Sequence, residues 1–539
     1  MPDQETRTSS VSRAAAHAPE WKVLERDVPL SQSVIWRLQR DFYAQRGLKA
    51  WNEDLVPSYI TNNPFIAEIY AGLVAAFLQD CMSHPQHGSA ALSHENPLRI
   101  LELGAGTGKF SYLFLRKLTA LLQSNNMPLH LVRYCMTDTA ETLLTEWREN
   151  SYLKEFVGSG ILEFEIFQAG QQSDLKHSGP LVVIANYVFD SLPQDAFAIE
   201  NGGIDEILVT TSAVSDVETP FLKDLRFSYR NSAIGQQRYA EDSFNHILEQ
   251  YRTRFSVATV LFPASALQTL QQLSGPSDGR MLVLVADKGV THEEDLPLAP
   301  LEPSLEFHAG GRVFSQQVNF DAIGKYFLHE GGEALLPSKH FTSLNLCAFI
   351  QRNPDDNFPA TRKAYDQATS AFGPDDLFAL MSWLNAYLEE ISLPQALALL
   401  RLTRWDTVAF TRLFPVMARH ARNAHGERID LRDAVLNTWE NHYPLTKDEN
   451  VLAFYCGVIL LELRFFQEAY SMFRKSQQLY APSATTSYNL GLCCLGLGRS
   501  REALELLLDA CNLDPSFEPA QQSRFKLEDQ IRTGELELS

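Results

Sequence analysis

Three glycines spaced two apart, directly behind a short apolar run, are the residues most suited to chemistry in this sequence: Leu98-Arg-Ile-Leu-Glu102-Leu-Gly104-Ala105-Gly106-Thr-Gly108-Lys-Phe110. The apolar run predicts a strand that delivers a turn to the start of a helix. Missing Cβ atoms let a ligand lie against the backbone there, and the free N–H groups of the helix start face it. A nucleotide-like ligand is expected. A dinucleotide fingerprint requires G-x-G-x-x-G, but Lys109 stands where the third glycine would fall, so the nicotinamide reading is disfavoured. No Walker loop or H-E-x-x-H occurs, which removes the usual signals for P-loop NTPases and zincins. His84 and His87 lack further clustered ligands and read as loop residues, so no metal is expected. His308, in Phe307-His308-Ala-Gly-Gly-Arg312, faces either the cleft or its own turn.

The elements that must position these residues alternate. Apolar runs at Leu98–Leu103, Leu129–Thr137, Ile161–Phe167 and Leu181–Ala185 read as strands, with helical stretches at Lys109–Gln123 and Ala140–Tyr152 between the first three. Such alternation implies parallel strands joined by crossover helices. Ala196–Ile199 and Ile204–Thr211 flank Asn201-Gly202-Gly203 and read as a hairpin; Ser243–Leu273 reads as helix and Met281–Ala286 as a buried strand. Arg312–Asn319 and Ser343–Ile350 are expected to complete the sheet edge. Upstream, Ser31–Gln45 and Pro64–Gln79 carry helical apolar spacing. The expected organisation is a disordered tail over 1–20, a helical segment over 21–97, an α/β domain over 98–350 with an insertion at about 201–280, a linker over 351–374 and an all-α region over 375–539.

The spacing E-x-G-x-G-x-G resembles motif I of the class I S-adenosylmethionine (SAM) methyltransferases, and the resemblance implies a Rossmann-like α/β fold with SAM as cofactor. Cofactor contacts are then expected from Glu102, Gly104, Ala105, Gly106, Gly108 and the pair Asp138 and Thr139, with the Asp138 carboxylate accepting from the ribose hydroxyls. Taken alone, Asp138 reads equally well as a helix cap. Gln168-Ala169 stands where the superfamily often places an acid before a small residue, and the Gln168 amide oxygen can accept from the adenine amino group. The run Ala185-Asn186-Tyr187-Val188-Phe189-Asp190-Ser-Leu-Pro193, the following hairpin and the upstream Val56-Pro-Ser-Tyr59-Ile-Thr61-Asn62-Asn-Pro64 are similar to the MidA-like methyltransferases, which include complex I assembly factors. For that family the resemblance implies SAM binding and, in some members, arginine N-methylation of a partner protein. Tyr187 stands where relatives carry a glutamate. Methyl transfer from a sulfonium needs orientation and a dry site more than catalytic side chains. Asn186, also a cofactor contact, and Tyr187 are expected to position the acceptor, with Asp190 or Thr61 hydrogen-bonding it. The alternatives are that Asn186 satisfies a strand end and Asp190 caps a turn.

Length and charge frame this reading. A chain of 539 residues suggests about three units. The balance of 46 Lys+Arg against 66 Asp+Glu leaves a formal charge of −20, which repels phosphate backbones and anionic headgroups, so neither nucleic acid nor membrane is an expected partner. Seven cysteines, odd in number and set mostly in apolar runs, fit a reducing cytoplasm. Near the C-terminus Gly457, Ala469, Phe473 and Ser476 reappear as Gly491, Ala503, Leu507 and Ala510 at an offset of 34 residues, the tetratricopeptide (TPR) period. TPR-like helix pairs at about 450–517 are therefore expected, with a groove for a protein or peptide partner. The overall expectation is a SAM-dependent methyltransferase acting on a protein that the repeats recruit. A small-molecule methyltransferase and a noncatalytic scaffold with a SAM-binding-like fold are the alternatives.

Overall fold

The structure is a computed structural model, described over residues 20–46, 59–83, 92–170, 179–214, 221–235, 237–299, 301–339, 341, 344–370, 372–444 and 451–535. The tail, His84, His87, Val56 and Pro57 lie outside the described residues. The centre is a seven-stranded sheet of β1 (Leu98–Leu103), β2 (Val132–Asp138), β3 (Leu162–Ile166), β4 (Leu181–Asn186), β5 (Met281–Asp287), β6 (Glu333–Leu335) and β7 (Asn345–Gln351). Its spatial order is β6-β7-β5-β4-β1-β2-β3. β3, β2, β1, β4 and β5 are mutually parallel, whereas β7 runs antiparallel to both β5 and β6. The inner strands are continuous apolar runs because helices cover both faces. Strand order reverses between β1 and β4, and the crevice beyond their carboxyl ends is where open sheets of this kind bind ligands.

Four expectations are corrected. Ser243–Leu273 is two helices, Asp242–Arg254 and Ala264–Ser274, separated by the strand Val257–Phe262. That strand pairs with Asp195–Glu200 in a second, five-stranded antiparallel sheet, which also takes Gly203–Val214, Arg226–Ala233 and the N-terminal strand Trp21–Pro29. The segment from residue 21 thus begins extended, not helical, and the insertion mixes strands with helices. Of the two late strands, β7 lies inside the main sheet, and Val313–Ser315 and Val318–Asn319 pair elsewhere. The presumed linker holds the helix Pro359–Thr369.

Three helices position the crevice: α1 (Val34–Arg46), α2 (Pro64–Ser83) and α3 (Lys109–Ser124). The Glu25 carboxylate, on the N-terminal strand, accepts from Val34 N at 2.7 Å, from Ser33 Oγ and from Thr211 Oγ1 at 2.6 Å, tying the start of α1 to the antiparallel sheet. α2 is long and apolar enough to cross a membrane by length and composition, and two-thirds of its most apolar window is buried within the chain. It lies in one continuous apolar core with Ile100, Tyr134 and Ile184 of the sheet and with Leu377, Phe410 and Phe473 of the C-terminal helices. Those helices run from Pro374 to Arg532. Within them, a Cβ on Gly457 would meet Phe473 at 2.7 Å and one on Gly491 would meet Leu507 at 3.0 Å, the same close approach repeated 34 residues later.

Candidate functional site

The turn after β1 is built for a ligand by its backbone. Gly104, Gly106 and Gly108 have φ of +64°, +53° and +77°, conformations that side-chain-bearing residues rarely adopt. Its carbonyls are pinned one by one. Gly108 N donates to Ala105 O at 2.9 Å, Trp147 Nε1 to Gly106 O at 2.9 Å and Tyr443 Oη to Thr107 O at 2.8 Å. On the other side Gly106 N donates to Asp138 Oδ2 at 3.1 Å, and Thr139 N donates to Asp138 Oδ1 at 2.7 Å. The carboxylate that ends β2 is therefore aimed at the turn that ends β1, with acceptor capacity left on both oxygens. Burial pushes the Asp138 carboxyl up, and its backbone donors pull it back.

Glu102 is buried on β1 and accepts on Oε2 from Tyr134 Oη at 2.7 Å and from Ser111 Oγ. Burial pushes its carboxyl up to about 7 despite these two donors. A cavity of about 350 Å³ opens above the turn, within the range of roughly 300–1,000 Å³ typical of small-molecule sites. Glu102, Gly104, Ala105, Gly106, Asp138 and Thr139 line it, and Gln168, Ala169, Asn186, Tyr187 and Thr61 complete the wall. Most of the residues singled out from sequence thus converge on one space.

Asn186 Oδ1 accepts from Tyr70 Oη of α2 at 2.7 Å, while its buried Nδ2 has no hydrogen-bond partner among the described residues. Tyr187 takes a left-handed φ of +51°, and its N–H is held by Ala286 O at 3.0 Å. A non-glycine residue there is locally strained and is kept in place by its surroundings.

Two expected residues stand apart from the cavity. Gly108 does not line it: a Cβ there would lie 3.0 Å from Met136 and 3.1 Å from Tyr443 Oη, so this glycine serves close packing behind the turn. Asp190 is buried and outside the lining. Its backbone N donates to Asp287 Oδ2 at 3.0 Å, and its carboxylate accepts from Ser191 Oγ at 2.9 Å. Burial pushes both carboxyls of this pair up, and mutual repulsion adds to the rise at Asp287. The turn-capping alternative describes Asp190 better than acceptor binding. His308 bonds Ser315 Oγ through Nε2 at 2.9 Å and is likewise outside the lining.

The helix α1 was not anticipated at the site. Trp36, Gln39, Arg40 and Tyr43 line the cavity from above, and their i, i+3, i+4, i+7 spacing puts them on one helix face. Gln39 is buried, its Oε1 accepts from Phe314 N at 2.7 Å, and its Nε2 is unpartnered among the described residues. The signal was a polar pair interrupting an otherwise apolar stripe. Two buried amide donors in the wall, Gln39 Nε2 and Asn186 Nδ2, suit a ligand that presents oxygen acceptors.

Residues 74–317, a little under half of the chain, match a protein family described as "Putative S-adenosyl-L-methionine-dependent methyltransferase". No curated protein matches the sequence. Among solved structures, a superfamily member from Burkholderia thailandensis bound to S-adenosyl-homocysteine is 16% identical, over 60% of this chain and 88% of that one, with a TM-score of 0.40. A native structure from the same organism and superfamily is also 16% identical, over 62% and 90%, with a TM-score of 0.39. An O-methyltransferase family protein from that organism is 9% identical, over 62% and 66%, with a TM-score of 0.28. The matched segment contains the glycine turn, Asp138, Gln168 and Asn186. The chemistry present fits the cofactor of that family: a turn poor in side chains, a carboxylate for hydroxyl donors and buried amide donors for a carboxylate. Residues 74–317 are thus similar to a SAM-dependent methyltransferase family, and SAM is the cofactor this similarity brings to the cavity.

Proposed function

We propose that the chain is a SAM-dependent methyltransferase of the MidA-like type, with a Rossmann-like catalytic domain and TPR-like helices that recruit a protein substrate. The observation that carries the reading is the convergence of Asp138, the glycine turn and Asn186 on one cavity. Gly104, Ala105 and Gly106 would lie against the cofactor, Asp138 with Thr139 would hold the ribose, and Gln168 with Ala169 the adenine. When bound, the cofactor supplies an electrophilic methyl group on a sulfonium.

What this chain supplies is orientation and exclusion of water. Asn186, fixed through Oδ1 by Tyr70, keeps Nδ2 as a donor for an acceptor oxygen or for the cofactor carboxylate. Tyr187 and Thr61 also line the cavity. α1 contributes Trp36 and Tyr43 to the wall of this space, two aromatic side chains that limit contact of the reacting groups with water. Burial raises the Tyr187 hydroxyl, with Asp287 and Asp190 adding to the rise, so it stays protonated at neutral pH and donates instead of acting as a base.

Calorimetry with SAM, followed by incubation with labelled SAM and host lysate and mass spectrometry of labelled species, tests the reading. Saturable binding with label on a protein supports it. Folded protein that binds no SAM would falsify it and leave the noncatalytic scaffold.

A further inference from the structure

The turn proposed to hold SAM is gripped from behind by a residue 336 positions away in sequence. We infer that Tyr443 is a positioning residue for cofactor binding, and that the C-terminal helical region is therefore a working part of the cofactor site. The inference rests on the reading of the cavity as a SAM site. Tyr443 is 3% exposed, and its hydroxyl accepts from Asn150 Nδ2 at 2.7 Å while donating to Thr107 O at 2.8 Å. Because the amide of Asn150 donates, the phenolic proton is directed at the Thr107 carbonyl.

The grip is itself anchored. Asn441 Nδ2 donates to Arg404 O at 2.9 Å and Trp405 O at 3.0 Å, and His442 Nδ1 shares a hydrogen bond of 2.9 Å with Tyr152 Oη. The Tyr443 ring lies 5.3 Å from those of Tyr112 and Tyr152. Residues 441–443 therefore sit on a rigid support that begins in the helical region and ends on the turn.

Thr107 lies between Gly106, whose N–H meets Asp138, and the left-handed Gly108 that opens α3. The Ala105 and Gly106 carbonyls are held from within the α/β domain, by Gly108 N and Trp147 Nε1. The Thr107 carbonyl is held by the helical region. Without the phenol hydroxyl, both Thr107 O and Asn150 Nδ2 lose a buried partner, and the peptide between Thr107 and Gly108 gains freedom to rotate. The turn that lines the cavity from Gly104 to Thr107 then loses one of its fixed supports, and ligand binding must restore its order.

The full-length Tyr443→Phe protein tests this by SAM calorimetry, thermal melting and steady-state kinetics. The dissociation constant for SAM and the KM for SAM are expected to rise about tenfold, with kcat retained at saturating SAM. Asn150→Ala, which removes the donor that orients the hydroxyl and with it the acceptor of Tyr152 N, is expected to raise the same constant about threefold. Phe473→Leu, which loosens the helical region far from the turn, is expected to lower Tm and leave SAM affinity unchanged. If both Tyr443→Phe and Asn150→Ala bind SAM within twofold of the parent, the positioning role is overturned and Tyr443 is packing alone. If the parent protein itself binds no SAM, the cofactor reading falls first and this inference falls with it.

Discussion

Two pairs of buried carboxyls sit at the carboxyl ends of neighbouring strands, and they have opposite fates. Glu102 and Asp138, on β1 and β2, both line the cavity, and each has its own donors: Ser111 and Tyr134 for one, backbone N–H groups for the other. Asp190 and Asp287, just beyond β4 and at the end of β5, are withdrawn behind the Tyr187 turn and face each other. Position at a strand end is common to all four. What separates a ligand-facing acid from a structural one is whether its spare acceptor capacity looks into open space or at a like charge.

The sharpest way to break this comparison is Asp138→Ala. Removing the carboxylate proposed to take two hydroxyl donors is expected to raise the SAM dissociation constant by roughly 100-fold or more. Calorimetry showing a change below threefold would remove the β1–β2 pair from the ligand.

Next is Glu102→Gln. Because burial raises the Glu102 carboxyl in the folded chain to about 7 from an ordinary 4.5, the folded state holds the extra proton between those values. Stability is therefore expected to fall as pH rises through that window, by about 2 kcal/mol between pH 5 and pH 8. Glu102→Gln should flatten the slope, as read by denaturant melts at the two pH values. An unchanged slope would show that Glu102 is ionised throughout.

Asp190→Asn should act on stability alone. Its carboxyl is pushed up to about 6, so the penalty of ionising it appears as pH rises from about 4 through 6. The variant should melt higher than the parent above pH 6 and bind SAM within twofold of it. A large loss of SAM affinity would return Asp190 to the site. The smallest effect is expected from Arg116→Ala: its 3.1 Å pair with Glu440 bridges α3 and the helical region, but Arg116 is only half-buried and Glu440 is exposed. A change within about 0.5 kcal/mol is expected from denaturant melts, in contrast with the buried Tyr443 contact a few residues away.

The sequence was most readable where a backbone requirement is written in residue types. The run Leu98–Phe110 specifies strand, turn and helix because only glycine takes the three left-handed positions, and the apolar runs beside it are buried on both faces. It was least readable where a contact is made at long range. Val257–Phe262 is a short apolar run closed by Pro263, and between two amphipathic stretches it carries no period that separates strand from helix. Trp21–Pro29 is an edge strand whose exposed charged residues hide its pairing with Gly203–Val214. Asp190 was assigned to the site because it follows a strand, and only the fold reveals Asp287 behind it. Tyr443 carries no local pattern at all, since its partners are Thr107 and Asn150. The boundary at 375 expected from the sequence runs through the core that the C-terminal helices share with α2 and α3.

That shared core also governs how the protein can be made. α2 takes part of its cover from residues far downstream: Phe77 stacks on Phe358 at 5.1 Å, Phe65 meets Phe372 edge-on at 5.6 Å, and Asp80 accepts from Thr361 N and Oγ1, each at 2.8 Å. A ribosome releases α2 nearly three hundred residues before Leu377 and its neighbours, an interval on the order of half a minute at ordinary rates of synthesis. Through that interval the flank of this long apolar helix that Phe358 and Phe372 cover stays exposed, an aggregation-prone surface until the later helices arrive.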